Sequence, residues 1–138
     1  MSGASKTTAR LLLIEDEPTV ARLTRLVLSS EGYSVDVLAD HQAAAERAAS
    51  ANYDLIMADT ELGSRTAGLA GLSPLIEAAA PTPVLLFSAH RFPESAVVAA
   101  GLAGVVQKPY DIDDLLRVVQ QTLSSRTPDA NANQPTAV

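Results

Sequence analysis

Four short apolar runs in the sequence end in residues that carry charge or can donate hydrogen bonds. They are Glu15 and Asp16 after "RLLLI", Asp59 after "DLIMA", Ser88 and Ala89 after "PVLLF", and Lys108 with Pro109 after "GVVQ". Short runs with so little polarity are typical of buried parallel strands. Because parallel strands end at the same edge of a sheet, we expect the carboxylates, the hydroxyl and the ammonium group to lie together.

Such a cluster predicts a metal ion and phosphoryl chemistry. Carboxylates held close together repel one another, and the pKa of at least one would rise. A divalent cation removes this conflict, and oxygen ligands without His or Cys favour a hard ion such as Mg²⁺. A lysine and a hydroxyl suit a phosphoryl group, since both donate hydrogen bonds to its oxygens. A carboxylate beside Mg²⁺ can also be the nucleophile that forms an acyl phosphate.

Strand-like and helical segments alternate along the chain, five of each. This order predicts a parallel sheet with helices on both faces. Asp40 suits a helix start and Gly32 a helix end. Residues 33–38 alternate in polarity, which favours a strand at the sheet edge, whereas the other strands are predicted to be buried. A loop with several glycines precedes the third helix, which is expected to begin at Leu69 or Leu72.

The composition suits one domain with an aliphatic core. The chain has 138 residues, of which 47% are hydrophobic and only 4% aromatic. A net charge of −6 argues against a nucleic-acid or anionic membrane surface, since either would favour a basic patch. The lack of cysteine excludes disulfides and thiolate metal sites. The sequence shows neither a membrane-length apolar run nor a signal region, so we expect a cytoplasmic protein.

Two histidines, His41 and His90, are too few for a convincing zinc site. Both lie near the start of a helical segment and are expected to be exposed, without a catalytic role. His90 comes soon after Ser88, so it could touch the site or a partner.

The strand-end residues resemble those of the receiver domain of two-component response regulators, in its single-domain, CheY-like class. The matching segments are "IED" at 14–16, "DLIMAD" at 54–59, "PVLLFSA" at 83–89 and "KP" at 108–109. The likeness runs from about Arg10 to Leu123. It implies an α/β fold of the flavodoxin-like type, a (βα)5 doubly wound five-stranded parallel sheet with strand order 2-1-3-4-5. The set of segments in this order is specific, although each one alone is not.

The resemblance implies that Asp59 accepts a phosphoryl group from a histidine kinase or a histidine phosphotransferase. The protein would then be a signalling switch whose chemistry is limited to its own phosphorylation and dephosphorylation. Glu15, Asp16 and Asp59 would hold Mg²⁺ together with the backbone carbonyl of Glu61.

Residues at the ends of two other strands would contact the phosphoryl group. By the same resemblance, Ser88 would donate to the phosphoryl oxygens and move on activation, and Lys108 would pair with the phosphoryl group. The Lys108–Pro109 peptide bond would be cis. Ala89 and Pro109, which follow these two residues, are expected to modulate the site.

Four features depart from the family pattern, of which Glu15 in place of Asp is a common variant of little consequence. An aromatic residue often stands three positions before the lysine, where this chain has Val105, so the usual aromatic switch is doubtful. The loop at 60–72 has Gly63 where a proline is usual and lacks an Asp-Gly turn, which predicts a more mobile loop. The side chain of Glu61 could orient a water, repel the phosphoryl group or reach the metal through water, and each would alter the lifetime of the phosphoryl group.

The chain ends lack apolar periodicity and are predicted to be disordered at 1–9 and 125–138, which leaves a receiver domain at 10–124. If the chain is complete, its output would be contact with an unknown downstream protein, or phosphotransfer in a relay. The resemblance places the partner face within 90–123. Its candidate contact residues are Arg91, Phe92, Val105 and Tyr110. Phe92 could instead pack against the helix start.

Alternative functions remain open. A degenerate receiver would bind partners constitutively without phosphorylation, which Val105 and the altered loop favour and the intact strand-end residues oppose. A phosphohydrolase with an aspartyl nucleophile would want a second acid two residues later, and "DTE" supplies only Glu61 in place of Asp. A flavin-binding protein would share the topology, but "EDEPTV" after the first strand would repel a flavin phosphate.

Overall fold

A five-stranded parallel sheet forms the centre of the molecule. The computed structural model describes residues 8–62, 65–66 and 68–126. The strands are β1 (Arg10–Ile14), β2 (Ser34–Leu38), β3 (Leu55–Ala58), β4 (Glu61–Leu62), β5 (Arg65–Thr66), β6 (Val84–Ser88) and β7 (Gly104–Gln107). The large sheet has the order β2-β1-β3-β6-β7, and every pair in it is parallel. Because β6 and β7 are its fourth and fifth strands, the predicted order 2-1-3-4-5 is confirmed.

Five α-helices connect and cover the strands. They are α1 (Pro18–Ser30), α2 (His41–Ser50), α3 (Ser73–Ala79), α4 (Glu94–Ala99) and α5 (Ile112–Arg126), with a 3₁₀ turn at Leu69–Leu72 before α3. Asp40 caps α2 as predicted, because its carboxylate accepts a hydrogen bond of 2.8 Å from the amide of Ala43. Gly32 follows α1 with φ of 95°, the left-handed conformation that favours glycine. Among the described residues, no helix has the length and apolar character that crossing a membrane requires.

The last helix, α5, extends past the expected end of the domain. The helix continues through Ser125 and Arg126, two positions beyond the expected end of the domain at residue 124. The rest of the predicted tails, residues 1–7 and 127–138, lies outside the described part of the chain.

Alternate residues of the central strands pack into two aliphatic cores, one on each face of the sheet. Leu12, Ile56 and Leu86 face a cluster completed by α2, α3 and α4. Leu11 and Met57 face the opposite cluster, which α1 and α5 complete. A strand buried on both faces in this way has almost no freedom to shift, because a slip of one residue would exchange its two faces. The strand ends are therefore held in fixed relative positions.

The two edges of the sheet differ from the prediction in one respect. β2 is an edge strand, as its alternating polarity predicts. β7 forms the other edge, as the predicted order implies, but it was expected to be buried and only Val106 in it is fully buried. An apolar run of four residues cannot by itself distinguish a central strand from a half-covered edge.

A small hairpin follows β3. β4 and β5 pair antiparallel, with Glu61 opposite Thr66 and Leu62 opposite Arg65. Two-residue strands carry no periodic signal, so the sequence predicted only a loop here. The hairpin starts two residues after Asp59 and therefore lies at the carboxyl edge of the sheet.

Tyr53, two residues before β3, forms hydrogen bonds with side chains of β2 and α2. Its hydroxyl donates to Asp36 Oδ2 at 2.6 Å and accepts from Arg47 Nη1 at 3.2 Å. The hydrogen bond from Tyr53 is the main reason why the pKa of Asp36 is lowered, and the nearby Arg10 and Arg47 add to the effect against a smaller cost of burial.

Tyr53→Phe is expected to lower the free energy of unfolding by about 1 kcal/mol, the usual contribution of one such hydrogen bond. Because the folded-state pKa of Asp36 is lowered, this carboxylate stabilises the fold at pH values above the ordinary pKa of Asp. That stabilisation is lost as the pH falls through the folded-state pKa. The difference between Tyr53→Phe and wild type should therefore shrink in acid. Urea unfolding at a series of pH values measures it, with Tyr33→Phe as the control. An unfolding midpoint that Tyr53→Phe leaves unchanged at neutral pH would show that this hydrogen bond contributes nothing.

Candidate functional site

Lys108 joins the ends of three strands at the carboxyl edge of the sheet. Its Nζ lies 2.7 Å from Glu15 Oε1, after β1, and 2.6 Å from Asp59 Oδ2, after β3. The side chains of Glu15 and Asp59 are 2% and 7% exposed, and that of Lys108 is 16% exposed. Three of the predicted site residues are thus in direct contact.

The charge of Lys108 is stabilised by its two partners. Burial on its own would lower the pKa of this lysine, but the hydrogen bonds and negative charges of Asp59 and Glu15 outweigh burial and raise the pKa. The ammonium also lies 4.9 Å from the ring centre of Phe87, close enough for a cation–π contact. The group stays charged at neutral pH and faces the carboxylates.

The backbone and side chain of Asp59 are both held. The amide of Asp59 donates to the carbonyl of Ile14 at 3.3 Å, which continues the pairing of β3 with β1. Its Oδ1 accepts a hydrogen bond of 3.1 Å from the amide of Glu61, and its Oδ2 accepts a hydrogen bond from the ammonium of Lys108. The carboxylate is therefore oriented before any ligand arrives.

His41 departs from its predicted exposure. It is half-buried at the start of α2, and its Nε2 lies 2.6 Å from the backbone carbonyl oxygen of Asp59. Sequence reasoning missed this contact, since 18 residues separate the two positions and no periodicity relates them.

Ser88 ends β6 on the other side of Asp59 and is fully buried. Its Oγ accepts a hydrogen bond of 2.9 Å from the amide of His90. A hydroxyl that accepts one hydrogen bond can still donate one. The carbonyl of Ser88 accepts from the amide of Lys108 at 2.9 Å, so the β6 and β7 ends are tied directly. Ala89, the next residue, is exposed at the same edge.

A side-chain contact crosses the edge between two loops. His90, after β6, contacts the carboxylate of Glu61, at the start of the hairpin after β3. Both side chains are more than one third exposed. The sequence left open what the Glu61 side chain does, and the structure places it against His90. His90 is exposed, as predicted, and reaches the rim of the site.

The oxygen atoms at this edge suit Mg²⁺ in kind, since carboxylates and backbone carbonyls are the ligands that hard cations prefer. Asp16, half-buried after β1, adds a further carboxylate beside Glu15. In the described parts of the chain, however, no group of three or more His, Cys, Asp or Glu side chains is arranged to hold a metal ion. The ammonium of Lys108 contacts both Glu15 and Asp59 and offsets part of their negative charge.

Comparison with known proteins identifies the family. A model of the response regulator receiver domain matches residues 11–120. The chain belongs to the response regulator receiver domain family. It is thus a receiver domain of the kind found in two-component systems.

Curated relatives of this receiver domain are longer response regulators. The transcriptional regulatory protein DltR of Streptococcus agalactiae is 33% identical over 125 residues, which cover 88% of this chain and 55% of the relative. The response regulator ArlR of Staphylococcus aureus is 33% identical over 116 residues, covering 83% of this chain and 52% of the relative. The chain spans about half the length of these relatives.

Solved structures share the fold. The receiver domain of the sensor histidine kinase PA1611 from Pseudomonas aeruginosa, described with a magnesium ion coordinated in its active-site cleft, matches with a TM-score of 0.73 at 24% identity. That match covers 86% of this chain and 99% of the other. The chemotaxis response regulator CheY4 of Vibrio cholerae matches with a TM-score of 0.73 at 25% identity, over 84% of this chain and 99% of that one.

The predicted partner face of the receiver domain is partly engaged within the protein. Phe92 is half-buried and packs on the core between α3 and α4, which supports the helix-start alternative. Val105 packs on the same core. The hydroxyl of Tyr110 lies 3.0 Å from Thr24 Oγ1 of α1, and its ring centre is 5.9 Å from that of Phe87. Of the four predicted contact residues, Arg91 is the one that is exposed.

The peptide bond between Lys108 and Pro109 is cis, as the resemblance implied. Ala80–Pro81 is a second cis peptide bond, which was not predicted from the sequence. Pro109 itself is exposed.

Proposed function

We propose that Asp59 of this receiver domain accepts a phosphoryl group from a histidine kinase or histidine phosphotransferase and so acts as a signalling switch. The observation that carries the proposal is the contact of one ammonium, Lys108, with two buried carboxylates, Glu15 and Asp59. Buried carboxylates gathered on one lysine at a strand-end cleft mark a functional site more often than a structural one.

The transfer itself needs few groups. A carboxylate oxygen of Asp59 would attack the phosphorus of a phosphohistidine, a P–O bond would form, and the P–N bond would break. The departing imidazole keeps the electron pair of the broken bond. Lys108 and Ser88 would donate hydrogen bonds to the phosphoryl oxygens, where negative charge is concentrated.

Glu15, Asp16, Asp59 and the backbone carbonyl of Glu61 would hold Mg²⁺. When bound, the ion would offset the negative charge of the carboxylates and of the phosphoryl group. The magnesium ion described in the receiver domain of PA1611 supports this choice of metal. With the metal present, Lys108 would be free to turn from Glu15 toward the phosphoryl group.

Labelling with a small-molecule donor tests the proposal. We expect one phosphoryl group to be added per chain on incubation with acetyl phosphate and Mg²⁺, and none when a chelator is present. Intact-protein mass spectrometry measures the product, and circular dichroism in both samples controls for unfolding. A folded protein that binds Mg²⁺ and still takes up no phosphoryl group would contradict the switch and favour a constitutive binding module.

The output of the switch is a contact with a downstream protein or a histidine relay. Some relatives are named as transcriptional regulators, so the expectation that the protein has no nucleic-acid partner is not supported. DNA binding by a longer protein is therefore an alternative output. We place the receiver domain itself at 10–124, in the cytoplasm. The site residues Asp59, Ser88 and Lys108 are all present, which argues against a degenerate receiver.

A further inference from the structure

His41 contacts Asp59, the proposed phosphoacceptor. It belongs neither to the proposed metal ligands nor to the proposed donors to the phosphoryl group. Its Nε2 lies 2.6 Å from the backbone carbonyl oxygen of Asp59. A carbonyl oxygen can only accept, so the Nε2 must carry the hydrogen and donate it. The contact therefore fixes both the tautomer of the ring and the direction of the carbonyl.

The position of His41 is itself fixed. Asp40 caps α2 through a hydrogen bond of 2.8 Å from the amide of Ala43, and its carbonyl accepts from Ala44 at 3.0 Å. These two bonds fix the first turn of α2, which begins soon after β2 ends at Leu38. The imidazole reaches from this anchor across the end of β1 to the end of β3.

The segment that His41 holds leads directly to a proposed metal ligand. The carbonyl of Asp59 belongs to the Asp59–Thr60 peptide. The carbonyl of Glu61, two residues further along the chain, is the proposed metal ligand. Thr60 cannot anchor this segment through its side chain, because its Oγ1 is buried without a hydrogen-bond partner in the described structure. On the other side, the amide of Glu61 is bound to Asp59 Oδ1 at 3.1 Å.

We propose that His41 is a positioning residue that orients the Asp59–Thr60 peptide, and through it the Asp59 carboxylate and the Glu61 carbonyl. This inference rests on the proposed function for its catalytic consequence but not for its structural one. Groups that orient metal ligands commonly change metal affinity or activity by about 10- to 100-fold when they are removed.

The decisive variants separate the hydrogen bond from the ring. His41→Phe keeps a planar ring but cannot donate, whereas His41→Gln keeps an N–H donor at similar reach without the ring. Gln42→Ala, at the next and exposed position of α2, is the control for the helix start. The first readout is hydrogen exchange at the Glu61 amide in metal-free protein, which needs no phosphorylation.

We expect His41→Phe to speed exchange at Glu61 and to weaken Mg²⁺ binding about tenfold, with a smaller loss of labelling rate at saturating Mg²⁺. His41→Gln should restore both to within about threefold of wild type. NMR titration with Mg²⁺ and the acetyl phosphate assay supply the values. The ¹⁵N shifts of the wild-type imidazole should show the Nε2–H form.

Two results would overturn the inference. Exchange and Mg²⁺ affinity unchanged in both His41→Phe and His41→Gln would make His41 a bystander. Wild-type values in His41→Phe together with a loss in His41→Gln would show that ring packing matters and the hydrogen bond does not. Failure of the wild-type protein to be labelled would instead count against the proposed function, since the exchange measurement is independent of labelling.

Discussion

Asp59→Asn abolishes phosphoryl labelling and leaves the fold intact: this is the largest change in activity that we expect. The amide has no negatively charged oxygen to attack phosphorus, so the nucleophile is lost. Its oxygen can still accept from the amide of Glu61, a contact of 3.1 Å in the wild-type protein. Glu15 remains to pair with Lys108, at 2.7 Å, so the buried ammonium is not left alone.

The matched control is Asp54→Asn, just before the opposite end of the same strand. Asp54 accepts from the amide of Arg10 at 2.8 Å, away from the carboxyl edge. Intact-protein mass after incubation with acetyl phosphate and Mg²⁺ should show labelling of Asp54→Asn and of wild type only. Labelling of a folded Asp59→Asn would mean that another residue accepts the phosphoryl group, and peptide mapping would then identify it.

The positions of Asp59, Lys108 and Ser88 at one edge of the sheet could be predicted because parallel strands decide where these residues lie. Buried strands such as "DLIMA" and "VLLF" can be recognised without knowing their partners, and their ends must meet at one edge. Asp59, Ser88 and Lys108 needed no further information. The fold followed from the same pattern, since alternating strands and helices leave few topologies.

Contacts between loops could not be predicted in this way. The hydrogen bond from His41 to Asp59 and the pair of His90 with Glu61 join residues whose backbones belong to different connections. No periodicity relates such positions, and each residue alone is most often an exposed polar side chain. The predicted burial of β7 was wrong for a related reason, because the extent to which a strand is covered depends on neighbouring elements that its own sequence does not name.

Lys108 also illustrates a balance that the sequence left open. The pattern predicted that a cation would relieve the repulsion of the carboxylates, and both Mg²⁺ and an ammonium satisfy that requirement. The structure shows the ammonium between Glu15 and Asp59. We infer that Lys108 is both a structural counter-charge without the metal and a phosphoryl ligand with it.

Lys108→Met should have the largest effect on stability. Removing the ammonium leaves the carboxylates of Glu15 and Asp59 buried without their cation, and breaking a buried pair in this way commonly costs about 3–5 kcal/mol. Labelling should fall by about 10²- to 10³-fold, the usual effect of losing one donor to a developing negative charge. Urea unfolding in chelator and the initial labelling rate with acetyl phosphate and Mg²⁺ measure the two losses.

Lys108→Arg separates the two roles of this residue. Its guanidinium keeps the positive charge, so most of the stability should return. Labelling should recover less, because the planar, wider group cannot take the place of a compact ammonium beside the phosphoryl group. A Lys108→Met variant as stable as wild type at neutral pH would contradict the role of Lys108 as the counter-charge.

The pH dependence gives a further check on this counter-charge. The folded-state pKa of Lys108 is raised by Asp59 and Glu15 against the effect of burial. A raised lysine pKa stabilises the fold fully below the unfolded-state pKa, and the contribution is lost as the pH rises through the folded-state value. The stability difference between wild type and Lys108→Met should therefore stay constant around neutral pH and shrink only in strong alkali. A difference that already disappears near pH 8 would show that the lysine loses its charge far earlier than two buried carboxylates at 2.6 and 2.7 Å allow.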